Sequence, residues 1–245
     1  MRILLPPSET KRPGGSGAAL DLDALALPSL RPVREATVDA LVALSADAAD
    51  AQRVLKLSAR QAGDVEHNRA LRTAATMPAI DRYTGVLYDA LDAASLDARS
   101  RRWLGTHVLV HSAPFGPVGA LDPIPSYRLA AGTALPGIPP MRRHWAAATS
   151  EALGEERFVL DLRSEAYVAL GPVPASVKSE YVRVVTPTGR ALNHFNKKSK
   201  GELVRRLARS RPRIGGAPAL MRWAQENGIV LRRAEAGILE LVVDE

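Results

Sequence analysis

The alternation of apolar and polar stretches along the chain predicts short buried strands separated by helices. Arg2 to Leu5 is a short apolar run stopped by two prolines, which indicates a buried strand. The runs at 107–111, 158–162 and 238–243 have the continuous apolar character of buried strands, and 181–185 alternates like a half-buried one. We therefore expect a central sheet whose strands come from distant parts of the chain.

Helical spacing of apolar residues dominates the segment from about 32 to 75, where leucines and valines recur three and four positions apart. Ser45 to Asp47 supplies a cap between two helices, which predicts a helical hairpin. A DNA-binding helical hairpin often carries a glycine in its turn, and no glycine stands between Ser45 and Arg60. Core scaffolding is the favoured interpretation of this hairpin. Further helices are predicted after Gly85 and from His144.

The composition agrees with this fold and excludes several chemistries. Of 245 residues, 46% are hydrophobic and 24% charged, so we expect one α+β domain over 1–245, with a central sheet and flanking helices. The absence of cysteine excludes disulfides and thiolate nucleophiles. The apolar run before Pro6 is too short for a signal peptide, and no stretch approaches the roughly 20 apolar residues of a membrane span. The expected location is the cytoplasm, without membrane contact.

The net charge of +7 belongs to one part of the chain. Residues 1–177 contain 19 basic and 19 acidic residues, whereas 178–245 contain 14 and 7. Within 197–213, eight basic residues accompany one acid. Three lysines on a predicted loop before a helix over Glu202 to Arg209 suit a phosphate group, and the alternative is a solvated face. The candidates for DNA or phosphate contact are Lys197, Lys198, Lys200, Arg205, Arg206 and Arg209.

Five segments in chain order carry a family resemblance. The segment 121–132 reads LDPIPSYRLAAG, which is similar to "LD…PYRLEMG". Support comes from 87–91 ("VYxGL"), from the His-Trp pair at 144–145, from 160–167 ("NLAS-x-EY") and from 197–201 ("KKARG"). Together these segments resemble the YaaA family of peroxide-stress response proteins. The resemblance implies a mixed α/β domain with a positively charged cleft, DNA binding, and a role in limiting damage from peroxide and unincorporated iron.

The candidate cleft residues follow the predicted strands, where α/β proteins place ligand contacts. Asp122 and Arg128, with Tyr127, can orient a polar ligand, or they form an internal ion pair that pins a proline-rich loop. Ser164 lies one helical turn before Tyr167 and is either a cleft residue or an N-cap. The full set of cleft candidates is Lys11, Tyr88, Asp122, Tyr127, Arg128, Ser164 and Tyr167.

The polar loop after the first strand does not have the spacing of a Walker A motif. The family's "SPAKT" opening corresponds to 6–11, where the lysine stands at Lys11. This loop either contacts a ligand through Lys11 or is a plain connector.

Sequence motifs give no sign of catalysis or metal binding. His107 and His111 stand four apart on a predicted strand, too far apart to chelate comfortably, and no G-x-S-x-G, H-E-x-x-H or G-x-G-x-x-G motif is present. We expect no metal site and no cofactor, and whether the protein is an enzyme stays open. One hypothesis is a peroxide-stress protein that binds DNA through a basic cleft. The other is an enzyme that acts on a nucleotide, nucleoside or nucleobase-like molecule in the same cleft, so the expected partner is DNA or a phosphate-bearing small molecule.

Overall fold

The computed structural model describes residues 1–190 and 195–244 and contains a seven-stranded mixed sheet with helices packed around it. The strands are β1 (Arg2–Leu5), β2 (Met77–Pro78), β3 (Val108–Ser112), β4 (Gly116–Gly119), β5 (Pro123–Ile124), β6 (Phe158–Asp161), β7 (Lys178–Val185), β8 (Val230–Glu235) and β9 (Ile238–Val242). The helices are α1 (Arg31–Ser45), α2 (Ala48–Leu55), α3 (Asp64–Arg69), α4 (Ala79–Arg82), α5 (Val86–Leu91), α6 (Ala98–His107), α7 (Met141–Ala152), α8 (Glu165–Leu170), α9 (Phe195–Ser210) and α10 (Ala217–Glu226). The predicted mixed α/β fold is confirmed.

The main sheet has the strand order β4-β3-β1-β6-β7-β9-β8, and β2 pairs with β5 in a small separate ribbon. The five inner strands run parallel, while β4 and β8 lie antiparallel at the edges. From β1 the chain moves to β3 on one side and later crosses to β6 on the other. The strand order therefore reverses between β1 and β6, and in open parallel sheets ligands bind at the carboxyl ends of the strands at such a point.

Burial explains why the inner strands read as continuous apolar runs. Ile3, Leu4 and Leu5 are fully buried, because β1 has a strand on each side and packed layers on both faces. The predicted strands at the start of the chain and near 108, 158, 181 and 238 are all confirmed. The predicted helical hairpin is also present, and the side chain of Asp47 accepts hydrogen bonds from the N–H groups of Ala49 and Asp50 to cap α2. No helix in the described ranges is long and apolar enough to cross a bilayer.

Two edge strands are not among the strands that the sequence pattern predicts. Gly116 to Gly119 has the glycines and proline that are typical of a loop, yet it forms β4. Proline is tolerated there because β4 is an edge strand and one side of it donates no ladder hydrogen bonds. The charged strand β8 likewise lies at the opposite edge, where its exposed arginines and glutamate face solvent.

The predicted lysine loop at 197–201 is wrong, since these residues form the first turns of α9. Glycine in this segment suggested a loop, but Gly201 lies inside the helix at a close approach to α5. A Cβ atom at Gly201 would stand 2.1 Å from the carbonyl oxygen of Leu87. The predicted apolar face is confirmed, because Leu203, Val204 and Leu207 are buried. The helix pair α5 and α9 thereby forms one wall of the cleft described next.

Candidate functional site

A cleft of about 850 Å³ opens at the carboxyl ends of β1 and β6, where the strand order reverses. Its walls are the loop after β1 (residues 6–9), the start of α5, residues 127–132, the elbow after β6 and the start of α9. This volume lies within the range of small-molecule sites. A second, shallower groove of about 520 Å³ runs along α9, β8 and β9.

The five tyrosines of the chain gather around the cleft. Four of them line it, and the hydroxyl of the fifth, Tyr83, lies 2.8 Å from that of Tyr127. Tyr88 donates a hydrogen bond to the carbonyl oxygen of Pro6 at 2.7 Å, which fixes the loop after β1. Burial raises the pKa of each of these phenols, so all stay protonated at neutral pH. The lining tyrosines are Tyr88, Tyr127, Tyr167 and Tyr181.

Lys11 holds the backbone of the loop after β1, which forms one wall of the cleft. Its Nζ donates hydrogen bonds to the carbonyl oxygens of Ser8 and Glu9, at 3.0 and 3.2 Å, and lies 4.2 Å from the ring centroid of Tyr127. Burial, with a smaller contribution from the nearby Arg128 guanidinium, lowers the pKa of Lys11 to about 7. Lys11 therefore stands directly beside the lining residues, and its first role is to hold the backbone of the loop.

The three candidate lysines of α9 differ in their position relative to the cleft. Lys197 and Lys200 line the cleft, the first exposed and the second only 4% exposed. Lys198 points to solvent and pairs with Glu202 at 3.8 Å. The structure therefore brings two of the six proposed phosphate contacts into the cleft.

The three candidate arginines of α9 lie outside the cleft lining. Arg205 donates to the carbonyl oxygens of Leu91 and Asp92, both at 2.8 Å, and so fastens α9 to the end of α5. Arg206 donates to the carbonyl oxygen of Asn227 and lines the shallower groove. Arg209 is exposed in the last turn of the helix.

Asp122 also lies outside the cleft lining. Its Oδ2 accepts hydrogen bonds from the backbone N–H groups of Ala26 and Gly119, both at 2.7 Å, so it ties the segment at Ala26 to the end of the edge strand β4. Arg128 reaches towards Glu9 at the cleft rim, with 3.6 Å between Nη2 and Oε2. Asn68 holds the backbone of Arg128, because its Nδ2 donates to the Arg128 carbonyl oxygen and its Oδ1 accepts from the Arg128 N–H. Asp122 therefore has a structural contact, while Arg128 borders the cleft.

The elbow after β6 contributes a buried network beneath the cleft. Arg163 is fully buried and donates from Nε and Nη2 to the two carboxylate oxygens of Asp161, at 2.9 and 2.6 Å. Its Nη1 donates to His111 Nδ1 and to the carbonyl oxygen of Gly171, both at 2.8 Å. Burial and the adjacent guanidinium hold the pKa of His111 well below its usual range, so the ring is neutral. This network fixes the direction in which the following residues face.

Ser164 and Tyr167 face the cleft from that elbow. Ser164 occupies the N-cap position of α8, but its side chain makes no capping hydrogen bond. Tyr167 packs edge-on against the ring of His111, with 5.7 Å between ring centroids. The two residues are therefore available to a ligand together.

The lining is balanced in charge rather than basic. Its charged side chains are Glu9 and Glu165 on one hand and Lys197 and Lys200 on the other. Rings, amines and carboxylates can together contact a ligand that has a planar group, an anionic group and hydrogen-bond donors. No group of three or more histidine, aspartate or glutamate side chains within 1–190 and 195–244 is arranged to hold a metal ion, and His194 lies outside the described residues.

Sequence reasoning missed Tyr181 and Glu165 as lining residues. Tyr181 belongs to β7 and was counted as part of a half-buried strand, because the alternation alone does not show which end of the sheet a residue faces. The small number of tyrosines was a signal that could have indicated Tyr181. The chain has only five tyrosines, and three of them were already candidates for the cleft.

Comparison with known proteins adds a family to this geometry. The sequence model of a family described as "Peroxide stress protein YaaA" matches residues 1–227. A UPF0246 protein of Corynebacterium glutamicum is 45% identical over 237 residues, which cover 94% of each chain. A UPF0246 protein of Streptomyces coelicolor is 46% identical over 214 residues, covering 84% of this chain and 82% of that one. A more distant UPF0246 protein of Streptococcus pneumoniae is 26% identical over 237 residues, covering 91% and 92%.

Proposed function

Because the chain belongs to the family described as peroxide stress protein YaaA, we propose that it acts in peroxide stress by binding a nucleotide-like ligand in the cleft. The observation that carries the proposal is the convergence of four tyrosines and two lysines on one cleft at the reversal of strand order. The occupant is a small molecule with a planar ring and a phosphate group.

The two half-buried rings supply the contact for a planar group. Tyr167 and Tyr181 are partly exposed, whereas Tyr88 and Tyr127 are buried in the wall and shape it. Aromatic side chains stack on nucleobases, with about 1–3 kcal/mol per base in nucleic-acid complexes. Glu9 and Glu165 accept hydrogen bonds, so they suit ribose hydroxyls or the N–H groups of a base.

Lys197 supplies the phosphate contact, because it is an exposed basic residue that lines the cleft. Replacing Lys197 by alanine is expected to weaken binding of a nucleoside monophosphate about tenfold, the effect of losing one charge-assisted hydrogen bond. Binding of the corresponding nucleoside should change little. Isothermal titration calorimetry with matched nucleosides and nucleotides measures both effects.

The matched control is Lys198→Ala, one position further along α9. Lys198 is equally exposed but lies outside the cleft and pairs with Glu202. It should bind the nucleotide like the parent protein. If no nucleoside or nucleotide binds at millimolar concentration, or if both lysine variants behave alike, the proposed ligand class is wrong.

A second candidate function, DNA binding, is favoured by the outer face of α9. Lys198 and Arg209 are exposed, and eleven helical residues set them nearly on one side of the helix and about 16 Å apart. Basic side chains along a helix can follow a phosphate backbone. This candidate uses the helix surface rather than the cleft.

The double variant Lys198→Ala/Arg209→Ala tests that candidate. It is expected to reduce the salt dependence of DNA affinity by about 2 units in the log–log slope, since two phosphate contacts are lost. Fluorescence anisotropy with single-stranded and duplex DNA at several salt concentrations measures the slope. Lys197→Ala serves as a cleft control. Absence of binding at low salt, or an unchanged slope, would rule this function out for α9.

A further inference from the structure

The side chain of Lys200 is buried, and its amine lies against an aromatic ring at the cleft. It is 4% exposed, lines the cleft, and makes no hydrogen bond or ion pair among the described residues. Its Nζ lies over the ring of Tyr181, 5.4 Å from the ring centroid. Lys11, by contrast, donates to two carbonyl oxygens. The amine of Lys200 therefore has a ring face beside it but no hydrogen-bond acceptor among the described residues, which leaves it open to a ligand in the cleft.

The groups around Lys200 leave its amine easy to deprotonate. Burial lowers the pKa of Lys200 to about 8, and the Asp161 carboxylate opposes this only in part. Asp161 is already held by the guanidinium beneath the cleft. The other titratable side chains that line the cleft are Glu9, Tyr88, Tyr127, Glu165, Tyr167, Tyr181 and Lys197. Near neutral pH a useful share of the amine therefore carries a free lone pair.

Lys197 stands three residues earlier on the same helix. Side chains three apart share a helix face, with about 5–6 Å between their Cβ atoms. The cleft thus presents an exposed ammonium at its opening and an unpaired amine deeper inside. A ligand that joins an anionic group to an electrophilic carbon a few bonds away matches both.

We propose that Lys200 is a nucleophile that forms a reversible imine with a small phosphorylated aldehyde or ketone, whose phosphate is held by Lys197. This activity goes beyond the binding function proposed above and shares with it only the cleft. It does not require the ligand to be a nucleotide.

The reaction balances without an oxidant or reductant. The lone pair of Nζ attacks the carbonyl carbon, the N–C bond forms as the π bond of C=O breaks onto oxygen, and the oxygen takes a proton as the nitrogen loses one. The C–O bond then breaks, the nitrogen lone pair forms the C=N bond, and the oxygen leaves as water after a second protonation. Water reverses these steps and releases the carbonyl compound.

Reductive trapping on the full chain tests the proposal. Glyceraldehyde 3-phosphate and cyanoborohydride convert any imine to a stable secondary amine, which peptide mass spectrometry locates. At pH 8 we expect Lys200 to be modified about tenfold faster than the exposed Lys198, because burial leaves much of the Lys200 amine neutral at that pH. The rate at Lys200 should level off above about pH 8.

Three comparisons separate a specific site from general amine reactivity. Unphosphorylated glyceraldehyde should lose most of the preference, and so should Lys197→Ala. Lys200→Arg keeps the positive charge but cannot form an imine, so its labelling should vanish at position 200 and persist elsewhere. Should that variant fail to fold, the comparison of sites within the parent protein still decides.

The proposal is overturned if Lys200 in the folded parent protein is labelled no faster than Lys198. Calorimetry with nucleotides distinguishes this result from failure of the proposed function. Nucleotide binding without preferential labelling removes the imine alone, while preferential labelling without nucleotide binding removes only the nucleotide as ligand.

Discussion

Replacing Arg163 by methionine is expected to lower the free energy of unfolding by about 3–5 kcal/mol. Arg163 is fully buried, and its guanidinium satisfies both oxygens of Asp161, the Nδ1 atom of His111 and the carbonyl oxygen of Gly171. Methionine fills a similar volume but donates no hydrogen bond. The buried carboxylate of Asp161 would then lack its counter-charge, which is the main source of the loss.

Denaturant titration followed by tryptophan fluorescence measures this change. The double variant Asp161→Asn/Arg163→Met removes both charges and should recover a large part of the loss. The matched surface control is Arg183→Met, because Arg183 and its partner Glu235 are more than half exposed. That change should cost at most about 1 kcal/mol. A loss at Arg163 no larger than at Arg183 would show that the buried pair is not needed for stability.

Replacing Gly201 by alanine is expected to destabilise the protein by about 1–3 kcal/mol and to weaken ligand binding in the cleft. In an open helix the same change stabilises by nearly 1 kcal/mol, because glycine is the poorer helix former. Here the added Cβ would lie 2.1 Å from the carbonyl oxygen of Leu87 and 3.0 Å from the Cβ of Ala90. A backbone oxygen cannot rotate away, so steric overlap outweighs helix propensity and α9 must move from α5.

The control for this variant is Gly215→Ala, since nothing lies within 4 Å of a Cβ at that position. It should leave both unfolding and binding close to those of the parent protein. The Gly201 variant moves Lys197 and Lys200 together relative to Tyr88, so nucleotide affinity and imine trapping should fall in parallel. A stabilised Gly201→Ala protein with normal binding would contradict the close packing of the two helices.

The sequence allowed the inner strands to be predicted because burial on both faces leaves a continuous apolar run. Ile3 to Leu5 and Phe158 to Asp161 were recognised in this way. The edge strand with Pro117 was missed, since its pairing with β3 depends on tertiary position rather than local preference. Gly201 was interpreted as a loop residue because a close helix approach depends on a partner more than 100 residues away in the chain.

Part of the candidate site was predicted because it directly follows a strand that the sequence pattern reveals. Ser164 and Tyr167 follow a recognisable strand, and they do line the cleft. Asp122 also follows a turn after a strand. Its carboxylate, however, accepts hydrogen bonds from the backbone N–H groups of Ala26 and Gly119, and local sequence does not identify these partners. The inward turn of Arg163 was equally hidden, because its partners His111 and Gly171 come from separate segments.

The central place of β1 has a consequence for how the molecule folds. Leu4 pairs with Leu109 on one side and with Asp161 on the other, so its neighbours are synthesised more than 100 residues after it. The middle of the sheet cannot close until residue 161 has left the ribosome. Contacts of such long sequence separation slow folding. An apolar strand that stays unpaired during this time is prone to pair with non-native strands. We therefore expect the first strand to stay unpaired in a growing chain of this protein until β3 and β6 have emerged.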